Sequence, residues 1–265
     1  MENAFKDKVI WLTGASSGIG EAMAYAFSDA GAYLILSSRK KTELERVQSN
    51  CSNPERSMVL PCDVAQFDTI PAIAEQALAY QGHIDILINN AGISQRSKAS
   101  DTILEVDQKI MNVNFLGSVA VTKAVLPSMI DRKMGQIVVI SSVLGKMGVP
   151  FRSTYCASKH ALHGFFDALR GELYSDNIEV CLICPGFVKT NVTINALTGD
   201  GSPNNKMAAT TAAGFTPEEF TKKALRAIAQ KKKEVYFAKK ELAGVYLNRF
   251  VPTIFFRMMR KYQLS

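Results

Sequence analysis

The sequence predicts an α/β fold: a doubly wound, mainly parallel sheet with helices on both faces, followed by a C-terminal helical extension. Three observations predict it. Short apolar runs alternate with helix-periodic segments along the 265 residues. The runs are apolar throughout, as strands buried on both faces read. The first run ends in a glycine-rich turn that opens a helix. One α/β domain of this length, 1–265, is expected.

The elements follow in order. The strand 9–13 (Val9-Ile-Trp-Leu-Thr13) leads into a helix 18–30, where Ile19, Ala22, Met23, Ala26 and Phe27 recur at helical spacing and Gly31 ends the run. A strand 33–36, a charged helix 41–50, a strand 58–60, a helix 67–80 and a strand 84–88 come next. Helices fill 102–133, with Pro127 as a candidate kink. Then come a strand 136–141, a helix 154–174 and a strand 178–183. The segment 193–214 is long, rich in Ala, Thr, Asn and Gly, and follows a strand end, so it is expected to be a mobile lid or disordered. A helix 217–229, a strand 234–237 and a basic amphipathic tail 239–265 complete the chain, with Pro252 separating two short helices.

Composition narrows the class. Hydrophobic residues at 47% and charged residues at 21% suit a soluble protein with a large core. The apolar runs, such as 136–140, are strand-length and fall short of the roughly 18 residues that span a bilayer. Residues 1–7 carry acids and no apolar stretch, unlike a signal peptide, so a cytoplasmic location is expected. The five cysteines are an odd number and argue against a disulfide framework. Cys181 and Cys184 lie three apart on a strand, on opposite faces, and read as buried thiols. From 221 onward twelve Lys/Arg stand against two acids, a local charge of +10; the rest of the +7 chain sums to −3. The body is therefore no general polyanion binder, and no nucleic-acid partner is expected.

Two motifs carry chemistry. Thr13-Gly-Ala-Ser-Ser-Gly-Ile-Gly20 joins the first strand to the first helix. Its glycines let the backbone turn sharply, and the N–H groups of the helix start face an anion such as a pyrophosphate. Tyr155-Cys-Ala-Ser-Lys159 puts a phenol and an ammonium four apart on one helix face. A neighbouring ammonium favours tyrosinate and lowers the phenol's pKa toward usable acid/base range. Ser142 ends the strand thirteen residues upstream, where this architecture builds sites; Ser141 turns to the other side. His160 and His163 sit three apart on the same helix, but no further metal ligand stands out, so packing or interface roles are expected.

Over about residues 6–190 this pattern resembles the short-chain dehydrogenase/reductase family. The resemblance implies a Rossmann-like fold and hydride transfer between a nicotinamide cofactor and a small-molecule carbonyl or alcohol. It implies that Tyr155 is the acid/base and that Ser142 hydrogen-bonds the substrate oxygen. Lys159 would bind the nicotinamide ribose and tune Tyr155, while Asn114 supports a proton-relay water. It places Gly14, Ser16, Ser17, Gly18, Ile19 and Gly20 at the cofactor phosphates. Asp63 and Val64 fall near the adenine, although Asp63 alone reads equally as a cap for the next helix. Asn90, Ala91 and Gly92, in the Asn-Asn-Ala-Gly run, fall beside the adenosine, and Pro185, Gly186, Val188 and Thr190 at the carboxamide.

Cofactor choice reads from the end of the second strand. Ser38, Arg39 and Lys40 stand there with no acid before Glu43. A guanidinium grips a 2′-phosphate well, so NADP(H) is expected over NAD(H), and reduction over oxidation. Against this, the glycine-rich loop has Ser16 and Ser17 where many NADP-dependent relatives carry a basic residue. An NAD-dependent dehydrogenase and a non-catalytic NADP-binding regulator are the competing readings. The substrate wall is expected from 94–96, 143–152, Phe187 and 193–214. A homo-oligomer, dimer or tetramer, is expected through 102–133 and 154–174. The tail either covers the substrate, packs on another subunit or lies on an anionic membrane.

Overall fold

The computed structural model describes residues 4–261. Its strands are β1 (Val9–Thr13), β2 (Tyr33–Ser37), β3 (Ser57–Val59), β4 (Ile86–Asn89), β5 (Gly135–Ile140), β6 (Ile178–Pro185) and β7 (Glu234–Phe237). They form one parallel sheet in the order β3–β2–β1–β4–β5–β6–β7. Strand order reverses between β1 and β4, and the crevice beyond their carboxyl ends is where such sheets bind ligands.

Alternation along each strand sorts the core into two layers. Trp11, Ile35, Leu87, Ile137 and Leu182 face one side, against α3 (Ile70–Ala79), α5 (Gly117–Arg132) and α6 (Ser153–Glu172). Leu12, Leu36, Ile88, Val138 and Ile183 face the other, against α1 (Gly18–Asp29), α2 (Lys41–Ser49) and α8 (Pro217–Ala229). The indole of Trp11 donates to Ser37 Oγ at 2.9 Å, and that hydroxyl donates to the Leu60 carbonyl, which pins the adjoining β2–β3 edge. Helix α8 has the bounds its sequence predicts because Thr216 and Glu219 form a reciprocal cap with Pro217 in the first turn.

Several boundaries depart from expectation. The segment 67–80 opens with a 3-10 turn, Phe67–Thr69, before α3. The fourth strand starts at Ile86, and the Asp85 carboxylate just before it accepts from Val9 N at 3.0 Å. The helical stretch expected from 102 starts with α4 (Leu104–Met111), and its ladder changes to π-helix at Asn112–Leu116 rather than at Pro127, which lies inside α5. At 29 residues this stretch, Leu104–Arg132, is long and apolar enough to cross a membrane by length and composition, unlike the strand-length runs. Its apolar face is instead packed on the sheet through Val121, Val125 and Met129. The 193–214 segment, expected to be mobile or disordered, is cross-braced: Leu197 pairs with Gln95 and with Pro203, and α7 (Ala209–Ala212) closes it. The tail folds as α9 (Glu241–Phe250) and α10 (Pro252–Met259), divided at Pro252. Within 239–265, residues 262–265 lie outside the described residues.

Candidate active site

The glycine-rich turn is held open by its neighbours. Gly14 and Gly18 have φ of +66° and +59°, the left-handed region that costs glycine nothing. A Cβ on Gly20 would collide with the Gly14 carbonyl and stand 2.7 Å from Asn90 Nδ2. Ser17, the N-cap of α1, is exposed and its side chain caps nothing, so the first N–H groups of that helix are open to an anion. Ser16 and Ile19 border the same turn, and Thr190, from beyond β6, comes within 3.0 Å of where a Gly18 Cβ would sit. These features fit a dinucleotide pyrophosphate.

Some residues assigned to the cofactor also hold the cradle together. Asn90 Nδ2 donates to the Thr13 and Gly14 carbonyls at 3.0 and 3.1 Å, so its amide fixes the turn. Thr13 Oγ1 accepts from the N–H groups of Asn90 and Ala91, which ties β1 to β4. Asp63 accepts from Ala65 N at 3.0 Å, the turn-closing role; Val64 packs in the core, where a Cβ on Gly117 would meet it at 2.8 Å. At the end of β2, Ser38 is half-buried, while Arg39 and Lys40 are exposed and neither makes an ion pair among the described residues. Arg46 is the base nearest the glycine turn. It donates to the Ser16 carbonyl but is held by Glu21 and Glu43.

Beyond the cradle, Ser142, Tyr155 and Lys159 converge. Ser142 leaves β5 in extended backbone; its Oγ accepts from Leu144 N at 3.1 Å and faces the Pro185 carbonyl at 3.5 Å. Ser141 points the other way, to His163 Nε2 at 3.1 Å. Lys159 Nζ donates to the Ile140 carbonyl at 2.9 Å and stands 5.8 Å from the centre of the Tyr155 ring. Burial pushes Lys159 down to about 8. The electrostatics of Tyr155 correct the expectation from spacing. Burial pushes its phenol above the ordinary 10, opposed first by the positive charge of Arg152 and then by hydrogen bonding with Ser142. Arg152 is the cation whose charge opposes that rise.

Asn114 sits in the π-helical turn, fully buried. Its Oδ1 accepts from Ile93 N at 2.8 Å, and its Nδ2 donates to Ile93 O and Ser158 Oγ. It braces the loop after β4 against α6, with Gly92 between it and Lys159. The π-helical turn that carries it is a form found mostly as single turns, frequently at functional sites.

Sequence reading missed Gln95. Its Oε1 accepts from Thr154 N and Tyr155 N at 3.0 and 3.3 Å, which supplies the cap that Arg152, the N-cap residue of α6, does not. The signal was absent because the partners lie some sixty residues apart. Gln95→Ala should therefore cost about 1–3 kcal/mol of stability, as two helix-start N–H groups lose their acceptor. It should also lower kcat roughly tenfold or more by loosening Tyr155. Melting temperature and kcat check both; Gln95→Glu, which keeps the acceptor, should restore much of the rate.

A cavity of ≈ 280 Å³ opens beside Tyr155. Ser94, Val143, Leu144, Met147, Val149, Arg152, Phe187, Thr193 and Thr211 line it, largely as expected from 94–96, 143–152 and the lid, although Gln95 and Arg96 do not. Gly186 and Val188 also line it. The tail supplies the rest through Glu241, Leu247, Phe255, Met258 and Met259, so within this chain α9 and α10 roof the cavity. Glu241 joins them to the loop after β6 by accepting from Phe187 N at 3.0 Å.

His163 is also better supplied than its sequence suggests. Cys184 and Glu234 bring ligand atoms within 4.8 Å of it and of one another. Lys146 ion-pairs with Glu234 at 3.2 Å, and burial holds His163 down at about 4, so the cluster behaves as a neutral-histidine network behind Ser141. Cys181 lies on the opposite face, and all five cysteines are free and buried.

A pyrophosphate cradle that opens directly onto a tyrosine–serine pair is the working combination of a nicotinamide-dependent oxidoreductase, and this is the class of protein the fold and site define. The chain belongs to the short-chain dehydrogenase/reductase family. The family model for short chain dehydrogenase matches residues 8–200. The chain is 45% identical over 261 residues to a dehydrogenase/reductase SDR family protein 7-like of Anopheles gambiae, covering 96% of this chain and 82% of that protein. It is 43% identical over 260 residues to dehydrogenase/reductase SDR family member 7B of Mus musculus, covering 96% and 80%. Among solved structures, a short-chain dehydrogenase from Streptomyces avermitilis superposes with a TM-score of 0.80 at 26% identity, covering 94% of this chain and 93% of that one. A short chain dehydrogenase/reductase from Burkholderia phymatum, solved in complex with NAD, shares the fold with a TM-score of 0.83 at 23% identity, covering 95% and 96%.

Proposed function

We propose that this chain is an NADP(H)-preferring reductase that converts a carbonyl to an alcohol, with Tyr155 as the proton donor. The observation that carries the reading is the meeting of Ser142 and Tyr155 at one cavity, with Lys159 behind them. The chemistry a bound reduced nicotinamide supplies there is hydride. Ser142 orients the substrate oxygen with its hydroxyl, and Tyr155 delivers a proton to that oxygen as it becomes an alkoxide. Lys159, close to Gly92 and anchored on Ile140, is placed for a ribose hydroxyl. Asn114 positions the Ile93 loop and supports proton resupply.

Preference for the 2′-phosphate rests on Ser38 and on Arg39, which makes no ion pair among the described residues, with Lys40 beside it. Steady-state kcat/KM with NADPH and NADH, across aldehydes, ketones, quinones and steroid ketones, tests it. NADPH should be favoured about tenfold or more, the worth of one charge-assisted contact, and Arg39→Glu should reverse the order. A clear NADH preference in the unsubstituted protein would replace this reading with the NAD-dependent dehydrogenase.

The setting is part of the proposal. Five free thiols suit a reducing compartment such as the cytoplasm. Leu104, 66% exposed, and Leu116 leave apolar groups outward on α4 and the π turn, which favours a homo-oligomer. The outer face of the tail, where Phe250 is 74% exposed beside Arg249 and Arg257, favours contact with an anionic membrane surface.

A further inference from the structure

We propose that Arg152 is the anion-recognition residue of the substrate cavity: the substrate carries a carboxylate or phosphate near its reacting carbonyl and an apolar remainder. The inference rests on the cavity's being the substrate site. Arg152 is only 7% exposed, lines the cavity three residues before Tyr155, and its Nη2 has no hydrogen-bond partner among the described residues. A guanidinium does not shed its proton, so this is a buried charge rather than a neutral group. A buried cation without a partner is strongly unfavourable.

Its surroundings do not relieve that cost. Glu241 is the acid in the cavity lining; its Oε1 accepts from Phe187 N at 3.0 Å and its Oε2 from Lys239 N at 2.9 Å, and it makes no ion pair with Arg152 among the described residues. Arg152 also stands at the N-terminal end of the 20-residue helix α6, where the helix dipole repels a cation and attracts an anion. Both effects are relieved if an anionic oxygen docks against the guanidinium, which can grip it through two N–H groups. Much of the remaining lining is apolar (Met147, Leu247, Phe255, Met259), so the rest of the ligand is hydrocarbon in character. Pairing would also reduce the positive charge felt by Tyr155 and help keep its phenol protonated, the form that reduction needs.

Calorimetric titration of the full chain with octanoate, octyl phosphate and 1-octanol tests the assignment. At least one of the two anions should bind about tenfold to a hundredfold tighter than 1-octanol, and the tighter one names the headgroup. Arg152→Met should erase that preference and Arg152→Lys should keep part of it, with fold checked by circular dichroism. Lys240→Met, which removes the exposed cation at the cavity rim, should leave it intact. Equal binding of 1-octanol, a preference that survives Arg152→Met, or one lost in Lys240→Met would each overturn the proposal. Failure of the reductase reading shows separately, as anion preference without turnover on any carbonyl.

Discussion

Tyr155→Phe is expected to lower kcat by roughly 10²–10⁴-fold, the usual contribution of a positioned proton donor. Cofactor affinity, followed by fluorescence titration, should be unchanged. The substitution removes one oxygen and leaves the ring, which packs against Val143, Leu144 and Met147, so the loss would report chemistry and not folding. The pH dependence has a definite sign. Reduction needs the protonated phenol, and burial holds that phenol above its ordinary value, so the reductive rate should stay flat through neutrality and fall only in strongly alkaline solution. Oxidation needs the phenolate and should rise over the same range. Near-normal turnover by Tyr155→Phe, or a reductive rate that falls between pH 6 and pH 8 (roughly, the range a strongly lowered phenol pKa would give), would remove Tyr155 from the role.

That profile differs from the one the Tyr155–Lys159 spacing suggests, and the difference shows what a sequence can carry. Two side chains four apart on a helix share a face, but sharing a face does not set which partner each one takes. Lys159 donates to the Ile140 carbonyl while standing 5.8 Å from the ring centre, and Arg152, which stands before the first helical turn and outside the repeat, adds a positive charge of its own. The glycine turn was legible because its constraint is local: positive φ and close backbone approach demand glycine wherever they occur. The parallel sheet with helices on both faces was legible for a similar reason, since continuous apolar strands alternating with amphipathic helices leave few arrangements, although the strand order itself was not read. The helix cap by Gln95 and the hold of Asn90 on the glycine turn were not legible, because each side chain bonds backbone of a distant segment that composition does not single out. The π turn was hidden too: a five-residue change of ladder barely disturbs a hydrophobic period, yet Asn114 lies in it.

The tail shows the same limit, and it yields the second large effect. Its sequence is apolar and basic throughout, compatible with a roof, a subunit contact or a membrane face. The coordinates separate the faces: Val245 and Phe255 are buried against the Val143–Met147 segment, while Tyr246, Phe250, Ile254 and Phe256 look outward. Phe255 is 1% exposed and anchors α10, so Phe255→Ala should cost about 3–5 kcal/mol in whatever unit contains it. The sheet cores contain neither α9 nor α10, so that unit is the roof, and the loss should appear as local opening and not global unfolding. Hydrogen exchange across 241–259 should quicken while the strands stay protected, and KM for an apolar carbonyl should rise by about 10–200-fold, the value of an apolar contact in a pocket. Phe250→Ser with Phe256→Ser should do the reverse: leave kcat/KM near normal and weaken pelleting with anionic vesicles. If the outer pair raised KM as much as Phe255→Ala, the two faces would not be separate devices. If the outer pair changed nothing with vesicles, the membrane contact would fall and the roof alone would account for the tail.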